Sequence, residues 1–311
     1  VKHRCLVRFL GRLDYWREVM NLPKSDSVTI EITNASGEEF RVIKLRVAQA
    51  PLAFGVWPKS SSAMLSGNIG YLRLPNMQKT SSVNEIKLWM PRFREADGMI
   101  IDVRDNDGGD RDALKLIYSY LASTSDLPRV FTAAAYRLHS SRKKDHLAEG
   151  HFMFTEDSEK WTLEDRAAIN SFKMTFHPEW QLPKGQFSPW HYMVLHRNSD
   201  PEIYHFNKPV VILMNSKCFS ATDIFLAGLK GMKNVILVGS PSGGGSGGSE
   251  SFKLGSTPIQ VTLSSIASFQ SHGKLFDGHG VDPDRLLYHV PEYFIGLRDN
   301  VLEEALKMIA D

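Results

Sequence analysis

Cysteine is nearly absent: Cys5 and Cys218 are the only two in 311 residues. Two cysteines make no disulfide framework, and no CxxC pair marks a zinc or redox site. Cys218 reads as a small buried apolar residue. An excess of charge of one sign is also missing, since the formal net charge is only +2. That excludes a dedicated nucleic-acid surface, and the one basic cluster, Arg142-Lys143-Lys144, reads as a solvated loop. No apolar run reaches the roughly 18 residues a membrane span needs. No GxxxxGK pattern accompanies the Gly/Ser tract at 241–251. The tract therefore reads as a flexible loop, with a close-approach loop beside a cleft as the alternative. The histidines do not fall at HExxH or similar spacing, so no metal and no cofactor are expected. The chain opens at Val1 rather than Met without a signal-peptide pattern. An upstream segment is expected to have been trimmed, and the compartment is not read from the N-terminus.

What is present is an ordinary globular balance, 42% hydrophobic and 23% charged, long enough for one large domain or one plus a small one. Residues 1–50 read as a small β/α unit. It has a short amphipathic helix at 15–22 and two alternating strands, 27–33 and 40–47, around a hairpin turn at Asn34-Ala35-Ser36-Gly37. Residues 51–66, rich in Pro, Ser and Gly, read as a linker. The main domain, 67–311, shows buried strands at 67–74, 99–103, 210–214 and 234–239, and helices at 83–96, 113–122, from 220, and at 301–309. Strand, turn and helix follow one another twice, at 99–122 and from 210. Two such units feeding one parallel sheet predict an α/β fold. Residues 124–207 have a weaker pattern and are too long for a plain loop. They read as an insertion, helical around 163–172, that covers a cleft.

Val210 to Met214 is an uninterrupted apolar run, followed by a polar bend and a helix that begins at Ser220. Ser220 therefore sits where backbone N–H groups lack intrahelical partners. A nucleophilic serine needs that place, because its oxyanion must be held by ready donors. The plain alternative is a serine that only caps a helix.

Four motifs in order resemble the C-terminal processing (tail-specific) serine peptidases, with the tricorn-core and interphotoreceptor-retinoid-binding-protein branch. Gly70-Tyr71-Leu72-Arg73-Leu74 resembles the family's GYIRL strand, and 102–109, Asp-Val-Arg-Asp-Asn-Asp-Gly-Gly, its DLRxNxGG. Ser220-Ala221-Thr222-Asp223 is similar to SASE, and 278–284, Gly-His-Gly-Val-Asp-Pro-Asp, to GxGVxPD. The match covers the chain from about residue 67 onward. Residues 1–50 more loosely resemble the last part of a PDZ-like domain.

The resemblance implies a ClpP/crotonase-like core of stacked ββα units. It implies acyl transfer on polypeptides, with Ser220 as nucleophile and an oxyanion hole made by the N–H of Ala221 and that of Gly108 or Gly109. Asp102 and Arg104 read as pinning their turn. The processing branch has a lysine in a GKG turn; here Gly245 stands at that place, inside Gly243-Gly244-Gly245. In the tricorn type a histidine upstream of the PDZ-like part is the base, and here only His3 remains there. Within the chain His279 is the candidate base, before Lys253 and Lys274, and Asp277 the candidate supporting acid, or else an Asx turn. Family habit implies a bacterial protein, periplasmic or secreted. Two other functions stay open: an inactive relative that binds a hydrophobic ligand or peptide tail, and a crotonase-like acyl-CoA enzyme. Oligomeric state is not read from the sequence.

Overall fold

Every side chain of Val210–Met214 is apolar, and such a strand is stable only with both faces covered. A computed structural model, which describes residues 12–33, 37–46, 57–138, 147–148, 150–294 and 296–310, shows how this is met. The chain divides into two units, Val1–Gly55 and Val56–Asp311. In the first, helix α1 (Leu13–Val19) precedes an antiparallel hairpin of β1 (Ser27–Thr33) and β2 (Phe40–Arg46). Most of the expected hairpin turn, with Cys5, His3 and the Arg142-Lys143-Lys144 cluster, lies outside the described residues.

The second unit opens with β3 (Ala63–Leu65), β4 (Ile69–Arg73), α2 (Lys79–Trp89), a 3-10 turn at Met90–Phe93, β5 (Gly98–Asp102) and α3 (Asp112–Leu121). Then come β6 (Arg129–Tyr136), β7 (Phe154–Thr155), α4 (Leu163–Thr175) and β8 (His191–Leu195). The remainder is β9 (Val210–Met214), α5 (Ala221–Leu229), β10 (Val235–Gly239), β11 (Ser249–Lys253), β12 (Gln260–Ser264), β13 (Ile266–Gln270), β14 (Arg285–Leu286), α6 (Pro291–Phe294) and α7 (Asn300–Ala310). Six strands form the main sheet in the order β14-β10-β9-β5-β4-β3. All pairs are parallel except β3 with β4. The stretch expected to be linker up to residue 66 thus gives its last part to the sheet: β3 supplies the main-chain partners that the edge of β4 needs.

Strand alternation feeds two cores. Tyr71, Ile100, Val211, Leu213 and Val238 pack against Val301, Leu302 and Ala305 of α7. Leu72, Ile101, Ile212 and Leu237 point the other way, into the core shared with α2, α3 and α5. The insertion is more than a cover. It supplies β6, β8 and β7 to a second, antiparallel sheet in the order β13-β6-β8-β7. Phe131, Ala134, Met193 and Leu195 of that sheet share the core of α3 and α5. Its other face holds α4 through Ile169 and Phe172. Helix α5 is enclosed between the two sheets, with Gly228 where any Cβ would lie 2.8 Å from Leu114. No helix among the described residues is long and apolar enough to cross a membrane.

A dry ionic cluster closes the carboxyl end of β5. Arg104 is fully buried. Its Nη2 meets Asp102 Oδ2 at 2.5 Å, and its two Nη atoms meet the two oxygens of Asp299 at 2.8 Å each. Tyr71 donates to Asp102 Oδ2 at 2.7 Å, and Asp299 caps α7 by accepting the Leu302 N–H at 3.1 Å. Burial works to raise the Asp102 pKa, but Arg104 prevails and holds the carboxyl below its ordinary value. Removing one member leaves a buried charge without its full complement. Asp299→Ala is expected to lower the free energy of urea unfolding by about 3–5 kcal/mol; a loss under about 1 kcal/mol would show the second carboxylate to be dispensable.

Candidate active site

Ser220 precedes α5 with φ 57° and ψ −120°. A serine at positive φ is strained, by about 1–3 kcal/mol, and such strain concentrates at functional sites. The side chain does not cap the helix. The sequence alternative of a plain N-cap therefore fails on geometry: the turn lifts the hydroxyl away from the helix N–H groups instead of folding it onto them.

The Gly-Gly turn after β5 meets the Ser220 turn directly. Gly108 has φ 112°, and a Cβ there would fall 2.8 Å from Ser220 Cβ and 3.0 Å from the Ala221 nitrogen. Only glycine permits that approach. Asn106 binds the two turns together. Its Nδ2 donates to the Leu74 carbonyl (2.8 Å), its Oδ1 accepts from Gly108 N–H (3.0 Å) and Thr222 Oγ1 (2.7 Å). Its carbonyl accepts the Phe219 N–H at 3.0 Å. Asn106 was visible in the sequence only as one polar residue of a turn motif.

The Gly108 N–H is thus committed to Asn106. Gly109 differs. Met77 donates to the Gly108 carbonyl at 2.8 Å and accepts from Asp110 N–H at 2.7 Å. In this parallel bridge the N–H of Gly109 projects away from Met77. Neither it nor the Ala221 N–H has an acceptor among the described residues.

The Gly/Ser tract is a close-approach loop, not a free one. Asp223, in the first turn of α5, is completely buried. It accepts from Ser242 Oγ (2.5 Å), Gly244 N–H (3.1 Å) and Gly245 N–H (3.1 Å). Burial raises its pKa to about 6, against these hydrogen bonds and that of the Ser220 N–H. Ser242 also accepts from the Val281 N–H at 2.7 Å, which ties in the 278–284 turn. A Cβ on Gly245 would lie 2.0 Å from the Phe219 ring. The volume a lysine would need there is filled.

The other candidates lie apart from the hydroxyl. His279 is half exposed, with Nε2 3.7 Å from Glu179 Oε1. Lys274 pairs with Asp282 at 3.1 Å, and Lys253 is exposed on β11. Asp277 accepts from Ser264 Oγ at 3.0 Å, and burial raises its pKa. No histidine or lysine among the described residues hydrogen-bonds Ser220 Oγ. Cys218 is fully buried and donates to the Val103 carbonyl at 3.0 Å; burial raises its pKa to about 12, which suits packing and not chemistry. No group of three His, Cys, Asp or Glu among the described residues is placed to hold a metal ion.

A profile of peptidase family S41 matches residues 68–287. Among solved structures, a candidate peptidase from Parabacteroides merdae is similar with a TM-score of 0.56 and 20% identity. That match covers 80% of this chain and 64% of the other, so this chain spans less than two thirds of its length. The mature form of CPAF is similar with a TM-score of 0.54 and 16% identity, over 93% of this chain and 67% of that one. At these identities the likeness is one of fold.

The Asp223 carboxyl keeps its proton to about pH 6 in the fold, against an ordinary value of 3.8. Between those values the folded chain binds more protons than the unfolded one. The contribution of this group to stability is therefore full below about pH 4 and is lost as pH rises through 6. Asn does not titrate. The stability of the native chain relative to Asp223→Asn is expected to fall by about 3 kcal/mol from pH 4 to pH 8, measured by denaturant unfolding at each pH. A pH-independent difference would contradict the assignment.

Proposed function

The chain belongs to peptidase family S41, and on that premise we propose that it is a serine peptidase that cleaves polypeptides through an acyl-enzyme on Ser220. The observation that carries this is the strained Ser220 turn pressed against Gly108, beside two N–H groups without acceptors among the described residues. Attack by Ser220 Oγ on a peptide carbonyl, with its proton passing to the general base that later protonates the leaving amine, places negative charge on the carbonyl oxygen. The N–H groups of Ala221 and Gly109 are the donors we assign to it; that of Gly108 is spent on Asn106. Collapse of the tetrahedral intermediate expels the amine, which takes a proton, and water then releases the acyl group.

Asp277 is our choice for the supporting acid. His279 is the histidine of its turn, and would act only after leaving Glu179. We further assign residues 1–50 to a PDZ-like remnant and the protein to a bacterial periplasm or the secreted fraction, on the resemblance of the motifs. A second reading, an inactive relative that binds a hydrophobic ligand or peptide tail, draws on one observation: the Phe219 ring fills the space at Gly245, the position to which the resemblance assigns the processing branch's lysine.

Wild-type chain and Ser220→Ala are to be compared on an unfolded protein substrate and with a fluorophosphonate. Hydrolysis and labelling are expected in the first and at least about 1000-fold weaker in the second, with the unfolding midpoint retained. Hydrolysis equal in both would remove Ser220 from the mechanism. A folded wild type that neither cleaves nor labels would favour the binding reading.

A further inference from the structure

Two residues past Gly109, Arg111 stands at the start of α3 and is 4% exposed. Its partners are few. Nη1 donates to the His151 carbonyl at 3.0 Å and touches Met193 Sδ at 3.6 Å. No carboxylate among the described residues lies within ion-pair distance of it. The acids next to it in the chain are turned elsewhere. Asp110 accepts the Lys79 N–H at 2.8 Å, and Asp112 faces Lys79 Nζ at 3.3 Å. Lys115, one turn along α3, lies with Nζ 4.0 Å over the Phe152 ring. Burial alone lowers the Arg111 pKa, to about 9, so the group is still charged at neutral pH.

Buried charges in proteins are paired, because an unpaired one carries its full desolvation cost. Arg104, with two aspartates, obeys that rule, and Arg111, among the described residues, does not. A guanidinium offers five N–H donors in a fork that fits a carboxylate. Neighbouring Cα atoms are about 3.8 Å apart, so Arg111 Cα lies within about 8 Å of Gly109 Cα. With the reach of the side chain added, the guanidinium lies within about five residues of extended polypeptide from the assigned oxyanion donors.

We propose that Arg111 is a specificity-determining residue that binds a carboxylate of the polypeptide substrate within about five residues of the bond cleaved. The inference rests on the serine-peptidase reading for its substrate, but its test does not need turnover. The carboxylate has two sources, the chain terminus and an Asp or Glu side chain. Arg111 does not touch the reacting atoms.

The Ser220→Ala chain is to be titrated, by fluorescence anisotropy, with two sets of labelled peptides. One pair shares a sequence and ends in a free carboxylate or a carboxamide. The other carries Glu or Gln at one internal position, scanned along the peptide. In one set the acid is expected to bind roughly 10- to 100-fold tighter than its neutral twin. The set that discriminates identifies the source. The ratio is expected to fall to near 1 in Ser220→Ala/Arg111→Gln, and to an intermediate value with Arg111→Lys, which keeps charge but loses the fork. Equal binding of acid and neutral twins by Ser220→Ala would overturn the proposal. So would a ratio that persists without Arg111, or a loss of affinity equal for both twins, which would leave Arg111 only a support for residue 151. Hydrolysis that survives Ser220→Ala would instead remove Ser220 from the peptidase mechanism, and is read separately.

Discussion

The Arg104 guanidinium is the charge on which the rest of this structure depends. It is fully buried, and two carboxylates, one two residues away and one 195 residues away, must reach it. Asp102 ends β5 and Asp299 begins α7, so one ion fixes both the strand and the helix that covers its back. Such clusters are poor sources of net stability, since desolvation offsets most of the attraction. What they impose is geometry. Residue 104 has one position, and the turn that follows it starts from there.

The positions of the next residues follow from that start. Asp105, at φ 61°, exchanges hydrogen bonds with Asn215, its N–H to Oδ1 at 3.1 Å and its Oδ1 from Nδ2 at 2.8 Å. Asn106 then takes hold of Leu74, Phe219 and Thr222. The strain at Ser220 is thus supported from outside its own turn. A serine left to itself would relax to an ordinary φ; here its neighbours on both sides are held by another strand's turn. Asp223 completes the arrangement from below, where a carboxylate that burial would rather neutralise is kept among four donors.

Much of this was legible in the sequence, for identifiable reasons. Short, β-branched apolar runs such as Val210–Met214 read as buried strands, and paired glycines after such a strand announce a turn that approaches something closely. The order of four motifs implies that Ser220 meets the Gly108-Gly109 turn, and in the structure Gly108 lies against it. What was hidden depended on partners far along the chain. Strand β6 contains Ala133, Ala134 and Ala135, which have little strand preference of their own; they are extended because β8 and β13 pair on either side. The Gly/Ser tract reads as flexible because its anchor, Asp223, lies about 20 residues upstream. Arg104 and Arg111 look alike in the sequence, and only burial and partners separate them.

The Phe219 ring against Gly245 bears on how this site came about. A lysine at 245 has no room while an aromatic ring stands at 219, and opening that room by losing the ring alone would leave a void beside the serine. The two positions are therefore linked by volume, and neither change is neutral in the absence of the other. A lineage would pass between a lysine-bearing turn and this one by a correlated exchange. Sequences that descend from a common ancestor should show small residues at the first position where the second is lysine, and aromatic ones where it is glycine.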